Sequence, residues 1–133
     1  MPVISKVDFV ATDDASYKEV EVPGWGTIRV RSLSGAGRDA YMKGILEWKA
    51  DGTHTVKTED SEARLLSVTL VDEEGNLWFD DLEEGVQVLR QKNAGSLQKA
   101  FYAAMELSGL QEEAVEVAAE NLDETTSGEH GSD

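Results

Sequence analysis

Histidines, clustered acids and a glycine-rich stretch are the parts of this sequence that could catalyse a reaction or hold a ligand. His54 falls in a polar stretch and His130 lies near the C-terminal end, so neither is placed for general-base work or for a shared metal site. Residues 72–76 (DEEGN) lack the acid and glycine spacing of a calcium loop, which favours an ordinary turn. Residues 35–37 (GAG) precede a helical pattern without the Lys-Ser pair of a phosphate-binding loop. We therefore predict no catalytic residues, no cofactor and no metal ion.

Aromatic side chains are the remaining candidates for a functional site, because exposed aromatic residues often anchor protein interfaces. Trp25 is flanked by glycines at the tip of a predicted hairpin, where it either folds back onto the domain or contacts a partner. Trp48 and Trp78 are expected in the core or at its edge. The candidate partner-binding residues are Trp25, Trp48, Trp78 and Phe79.

The composition is that of an acidic globular chain. Its 133 residues suffice for one domain with a single core, and 40% of them are hydrophobic. The absence of cysteine excludes disulfides and thiolate metal sites, and the apolar runs are too short for a membrane span. The formal net charge is -15, so nucleic acid is an unexpected partner, because binding phosphates requires clustered cations. The start (MPVISK) lacks a signal-peptide pattern, which favours a cytosolic protein.

The negative charge is concentrated towards the C-terminal end. Residues 111–133 contain eight acids and no Lys or Arg. Such a segment is either a solvated tail that aids solubility or a tail that meets a basic segment of a partner.

A β-hairpin is predicted over residues 17–31, because two valines alternate with glutamates on one side of a turn while Ile28 and Val30 alternate with arginines on the other. A five-residue loop, 23–27, would produce one apolar face and one face of opposite charges. That loop implies four cross-strand pairs: Val22 with Ile28, Val20 with Val30, Glu21 with Arg29, and Glu19 with Arg31. A lone hairpin is marginal in water, so its valine face should pack on helices.

The most apolar stretch, residues 63–79, should form the centre of the core. Thr58 or Ser61 is expected to cap a helix that buries Leu66 and Leu70. The β-branched segment 68–71 (VTLV) could instead be a strand. A turn at residues 72–76 should follow.

Apolar spacings of three and four residues predict the other helices. Ser34 should cap a helix that runs to about Lys49, followed by a polar loop to residue 58. Asp80 should begin a helix ending near residues 92–95, and Ser96 should begin one that stops at residues 108–109. The buried stripe of the first of these helices is expected to contain Tyr41, Met42, Ile45 and Trp48.

These elements together predict an α+β fold that is mostly helical, with an N-terminal β-hairpin packed on a bundle of about four to five helices. Residues 4–10 should form a short helix or an arm, and residues 110–122 a last acidic helix. The expected single globular domain covers residues 1–122, with the hairpin at 17–31 and the helical part at 34–122. Residues 123–133 should be a disordered tail.

Three sequence motifs, spread over residues 9–121, resemble those of the tail assembly chaperones of long-tailed, non-contractile bacteriophages. Residues 20–34 (VEVPGWGTIRVRSLS) are similar to the family's opening pattern V-x-V-P-E-W-G…V-x-V-R-x-L-S, although Gly24 replaces the usual acid. Residues 70–79 (LVDEEGNLWF) resemble its L-V-D-E-D-G…L-F turn. Residues 107–110 (LSGL), with the acidic stretch that ends at residues 120–121 (EN), resemble the family's C-terminal motif.

The resemblance implies a small, mostly helical protein that binds the long, hydrophobic tape measure protein. Such a chaperone keeps the tape measure protein soluble while tail tube subunits assemble around it, and then leaves. The family implies a frameshifted, longer form that recruits the tail tube protein. Self-association is a further expectation, and the implied location is the host cell cytoplasm rather than the mature virion.

Two other classes of function are alternatives to this one. A structural tail or head-tail completion protein would be retained in the virion. A small enzyme or regulator is disfavoured, because the sequence lacks a catalytic constellation and because its acid excess argues against DNA binding.

Overall fold

Helices and short strands alternate along residues 2–110, the part of the chain that the computed structural model describes. Within this part there are five helices, one three-stranded antiparallel sheet and one two-stranded antiparallel sheet. Helices cover 42% of these residues and strands 19%, so this part of the chain is a mixed α+β fold, and neither the mostly helical character nor the predicted bundle is confirmed. In chain order the elements are α1 (Lys6–Ala11), β1 (Tyr17–Val22), β2 (Gly26–Arg31), α2 (Gly35–Ile45), β3 (Leu46–Trp48), β4 (His54–Val56), α3 (Ser61–Ser67), β5 (Leu70–Val71), α4 (Leu82–Leu89) and α5 (Ala94–Leu107).

The β1–β2 hairpin has the predicted faces but a different register. Val20 lies opposite Ile28 and Glu19 opposite Arg29, so the loop has three residues, 23–25, and the predicted five-residue loop is wrong. The shift is two residues; because side chains alternate with a period of two, every side chain stays on its predicted face. Both glycines of the turn have positive φ, which is typical of tight hairpin connections.

The apolar face of the hairpin packs on the helices around a single core. Helix α5 runs antiparallel to β1: the Ser96 hydroxyl donates to the Pro23 carbonyl at 2.7 Å, and at the other end the Glu106 carboxylate lies 3.5 Å from the Lys18 ammonium. Helix α3 packs against both α4 and α5. The largest side chains of this core that are fully buried are Ile45, Leu65, Leu66, Leu70, Val22, Val30 and Val86.

Helix α2 is shorter than predicted, because the chain enters a second hairpin after Ile45. Ser34 caps the helix as predicted, and its hydroxyl accepts a hydrogen bond from the Gly37 N–H at 3.0 Å. Strands β3 and β4 replace the predicted end of the helix at Lys49 and part of the predicted polar loop. The Lys57 N–H donates to the Ile45 carbonyl at 2.6 Å, so the hairpin satisfies an acceptor that the helix end would leave free.

The central stretch combines the two alternatives that its sequence leaves open. The helix α3 ends at Ser67, and Leu70–Val71 then form β5, which pairs with β2 at the sheet edge away from β1. Neither Thr58 nor Ser61 is the N-cap of α3; Asp60 takes that position, with a left-handed φ of 59° and no side-chain cap bond.

The following turn and the starts of α4 and α5 depend on carboxylate and amide side chains. Asp72 closes the predicted 72–76 turn, its carboxylate accepting two backbone N–H groups at 2.9 Å each. Asp81, rather than Asp80, caps α4, and Asn93, rather than Ser96, caps α5, each accepting a backbone N–H. Helix α5 ends before residues 108–109 as predicted. The predicted helix over residues 110–122 and the predicted tail, 123–133, fall almost wholly outside the described residues.

Tyr41 is a buried ionisable side chain of this core, 2% exposed on α2. Burial raises the pKa of its hydroxyl to about 12, because the phenolate would lose its hydration. In the unfolded chain the same group ionises near a pKa of about 10. This group should therefore stabilise the fold fully below pH ~10, and its contribution should be lost as the pH rises from about 10 to about 12. We expect Tyr41→Phe to lose less stability over that range in urea titrations; equal losses would contradict the prediction.

Candidate interaction surfaces

The N-terminal arm, residues 3–11, carries the most exposed apolar side chains of the described chain. It contains α1, whose N-cap Ser5 accepts a hydrogen bond from the Asp8 N–H at 3.1 Å. None of its residues is buried. Large apolar side chains are between 55% and 94% exposed: Val3, Ile4, Val7, Phe9 and Val10. The sequence predicted a short helix or an arm over residues 4–10, but it did not predict that the apolar side chains would be exposed.

A second apolar surface lies at the sheet edge formed by β5. Leu77 makes an isolated antiparallel bridge to Val71, and the Trp78 N–H donates to the Leu70 carbonyl at 3.1 Å. The backbone at these positions is therefore fixed. Even so, the side chains of Leu77 and Trp78 are 40% and 50% exposed. Trp78 was expected in the core or at its edge, and half of its side chain faces solvent.

Trp48 lies on the second, two-stranded sheet and does not join the core. Its indole is 44% exposed and lies opposite His54, with ring centroids 5.0 Å apart and planes tilted by 50°. The prediction that Trp48 completes the buried stripe of α2 is wrong, because the helix stops at Ile45 and Trp48 lies at the exposed end of β3. The imidazole thus packs on an aromatic ring at the surface of a hairpin.

Trp25 and Phe79 pack against the core and are only partly exposed. For Trp25 this is the folded-back arrangement, and its backbone N–H donates to the Val22 carbonyl at 3.0 Å. Phe79 lies over α4, where its ring reaches within 2.9 Å of the position that a Cβ on Gly85 would occupy. Both side chains therefore belong to the edge of the core.

The four candidate residues lie on three different parts of the fold. Trp25 is at the β1–β2 turn, Trp48 is on a separate sheet, and Trp78 with Phe79 follows β5. Among them, Trp48 and Trp78 have the exposure that a partner contact requires. Sequence reasoning missed the exposed arm as a candidate surface.

Arg29 connects the outer, charged face of the three-stranded sheet to the 72–76 turn. Its guanidinium donates to the Glu73 carbonyl at 2.9 Å and lies 3.5 Å from the Glu19 carboxylate. It also lies over the Tyr17 ring, 5.7 Å from the centroid. One side chain thus holds the turn that precedes Leu77 against β1 and β2.

Replacing Arg29 with alanine should destabilise the protein by about 1 kcal/mol, because one charge-assisted hydrogen bond and a partly exposed ion pair are lost. Arg31→Ala is the matched control: Arg31 lies on the same strand, and among residues 2–110 its side chain donates only to the neighbouring Ser32 carbonyl. Urea titrations should give a lower free energy of unfolding for Arg29→Ala than for Arg31→Ala. Hydrogen exchange at residues 72–76 should also accelerate only in the first variant; identical behaviour would contradict the assigned role.

An open groove of about 460 Å³ lies beside the start of α3 and contains the ionisable side chains Asp60, Glu62 and Arg90. The Arg90 guanidinium lies 3.4 Å from the Asp60 carboxylate, so these two charges largely neutralise each other. Burial raises the pKa of Glu62 from its ordinary value. The groove therefore offers one ion pair, one further carboxyl and the hydroxyl groups of Thr58 and Ser61.

The described residues contain no group of three or more His, Asp or Glu side chains that could hold a metal ion. No helix within residues 2–110 combines the length and the hydrophobicity needed to cross a membrane. Comparison with protein-family models, with curated proteins and with solved structures found no match in any of the three.

Proposed function

We propose that this protein is a tail assembly chaperone that binds the tape measure protein of a long-tailed bacteriophage and keeps it soluble. The three motifs at residues 20–34, 70–79 and 107–121 support this proposal by their order and spacing. The observation that carries it is the pair Leu77 and Trp78, which lies in the second motif and is exposed on a fixed backbone. Exposed aromatic residues on rigid elements are the usual anchors of protein interfaces.

The mechanism that we propose is the covering of apolar helical segments of the tape measure protein. Trp78 and Leu77, with Trp48 as a second contact, would take up apolar side chains of such a segment. The net charge of -15 would keep neighbouring complexes apart by repulsion and so oppose aggregation. The same charge makes a partner with basic flanking residues the better fit.

Co-expression with a tape measure protein tests this function. The soluble fraction of that protein should rise several-fold, and it should co-purify with the chaperone. A variant with Leu77→Ser and Trp78→Ser should lose most of this effect, whereas Tyr102→Ser, which alters an equally exposed aromatic residue on α5, should retain it. No gain in solubility with the unaltered protein would refute the function, and equal loss in both variants would refute the site.

The remaining expectations of this role concern its partners and location. A longer, frameshifted form would bind the tail tube protein, and copies of the chain could associate with one another. The protein would act in the host cell cytoplasm. Its absence from purified particles by mass spectrometry would separate it from the alternative, a structural tail or head-tail completion protein retained in the virion.

A further inference from the structure

The three-stranded sheet has one covered edge and one open edge within residues 2–110. At the β5 edge, Leu77 bridges to Val71 and the Trp78 N–H donates to the Leu70 carbonyl, so the following chain covers this edge. At the other edge, β1 pairs with β2 alone. Within the described part of the chain, no backbone hydrogen bond from outside the hairpin reaches β1. The outer edge of β1 is therefore the place where this sheet can accept a further strand.

The backbone groups that face this open edge belong to Tyr17, Glu19 and Glu21. The Arg31 N–H donates to the Thr69 carbonyl at 2.9 Å, so the backbone of Arg31 points away from β1. Residues directly opposite in an antiparallel pair either hydrogen-bond to each other or both point outward, and Tyr17 lies opposite Arg31. Because the two kinds of pair alternate along a strand, Glu19 and Glu21 also direct their N–H and carbonyl groups outward.

Strand β1 is long and regular for an exposed edge. Edge strands are commonly protected from further pairing by proline, by a bulge or by very short length. The six residues of β1 include no proline, and they pair with β2 one to one, without a bulge. The protection of this edge is instead its charge, which selects among incoming strands rather than excluding all of them.

Two carboxylates make the open edge negative, because Glu19 and Glu21 lie on the outer, charged face of the sheet. The Glu19 side chain is 64% exposed and lies 3.5 Å from the Arg29 guanidinium, whereas Glu21 makes no ion pair within residues 2–110. On the opposite face of the same strand, Val20 and Val22 are buried. A strand that continues this sheet should therefore alternate basic residues with apolar residues.

A second copy of this chain is a poor occupant of the edge. In the antiparallel pairing that uses all the outward residues of β1, Glu19 would lie opposite its own counterpart, and like charges directly opposite destabilise a sheet. Residues 111–133 contain eight acids and no Lys or Arg, so their charge is mismatched as well. A basic strand from another protein would instead place opposite charges side by side. Charge thus favours a partner protein over the acidic chain itself.

We propose that the outer edge of β1 binds, in antiparallel orientation, an extended segment of a partner protein in which Lys or Arg alternates with apolar residues. The partner backbone hydrogen-bonds to Tyr17, Glu19 and Glu21, and its basic side chains lie opposite the two glutamates. Its apolar side chains extend the valine face of the hairpin. This inference does not depend on the proposed function, which concerns the opposite edge of the sheet and a helical partner.

Synthetic peptides test the pairing. The probe is a peptide of six residues, the length of β1, in which lysine and valine alternate, and a peptide of the same composition in block order is its control. In NMR titrations of the full-length protein, the alternating peptide should shift the amide signals of Tyr17, Glu19 and Glu21 saturably, with about tenfold higher affinity than the control. Equal affinities, shifts that leave β1 out, or no binding at millimolar peptide would overturn the proposal.

Backbone methylation of the peptide separates strand pairing from side-chain attraction. In the antiparallel arrangement, the lysines opposite Glu19 and Glu21 direct their N–H groups towards β1, and the valines direct theirs away. N-methylation of the lysines should therefore abolish the shifts, whereas N-methylation of the valines, which adds the same groups, should retain them. Equal effects of the two methylations would contradict strand pairing and overturn the proposal.

Charge reversal in the protein tests the chemistry of the partner. Glu21→Lys should weaken binding of the lysine–valine peptide about tenfold and strengthen binding of a glutamate–valine peptide; the milder Glu21→Gln should weaken the first about threefold. Glu47→Lys is the matched control, because Glu47 is exposed on β3 and lies opposite Thr55, as Glu21 lies opposite Thr27. It makes the same change in net charge and should alter either affinity by less than about twofold. Equal losses in Glu21→Lys and Glu47→Lys, or no loss in either Glu21 variant, would overturn the assignment.

Discussion

Gly85→Ala is expected to lower the free energy of unfolding by about 3 kcal/mol, because the added methyl group has no space between α3, α4 and the chain before α4. An alanine Cβ at this position would overlap the Ser67 hydroxyl, lie 2.8 Å from the Ser67 Cβ and lie 2.9 Å from the Phe79 ring. Alanine would otherwise favour the helix by about 1 kcal/mol relative to glycine. The steric conflict should outweigh that gain. Urea titration followed by far-UV circular dichroism measures the difference.

Gly95→Ala is the matched control, because Gly95 is also helical and its added Cβ would meet only the Asn93 amide oxygen at 3.4 Å. It should leave stability unchanged or raise it by up to about 1 kcal/mol. The double variant Gly85→Ala with Ser67→Gly removes the Ser67 side chain and should recover part of the loss. If Gly85→Ala were as stable as Gly95→Ala, the close packing of α3 on α4 would be refuted.

Leu66→Ala should destabilise the fold by about 3 to 4 kcal/mol, because Leu66 is fully buried on the central helix α3. The loss combines the transfer of the removed methyl and methylene groups with the cavity that remains between neighbouring elements. Equilibrium denaturation should show a lower midpoint with an unchanged m-value.

Val88→Ala is the control for this substitution, since Val88 is 43% exposed on α4. Its truncation leaves no enclosed cavity and exchanges a β-branched residue for a better helix former, so stability should change by less than about 0.5 kcal/mol. A cost for Leu66→Ala near that of Val88→Ala would mean that α3 is not the centre of the core.

The hairpin shows that a residue pattern predicts the faces of a strand pair but not its register. Alternation of valines with charged residues predicted both faces of β1 and β2, and the structure confirms them. The same alternation fits any register shifted by two residues, since such a shift moves no side chain to the other face. The three-residue loop was therefore decided by the turn geometry at residues 23–25, where Gly24 within the turn and Gly26 just after it both have positive φ.

Trp48 shows why an apolar stripe can be assigned to the wrong element. Tyr41, Met42 and Ile45 are buried as their helical spacing predicts, and Trp48 continues the same spacing. The helix ends earlier because the chain after Ile45 pairs with residues 54–56, and that pairing is closed by the turn at residues 51–52. The Asp-Gly pair in this turn was the sequence signal for a hairpin.

Local sequence determined where the first hairpin and most of the helices lie, several helix ends and the acidic, cysteine-free character of the chain, because periodicity, capping side chains and composition act over a few residues. Tertiary structure decided the strand register, the end of α2, the strand at Leu70–Val71 and the exposure of Trp48, Trp78 and the N-terminal arm. Exposure depends on which distant segments pack over a side chain. That information lies in long-range contacts, which the spacing of neighbouring residues does not contain.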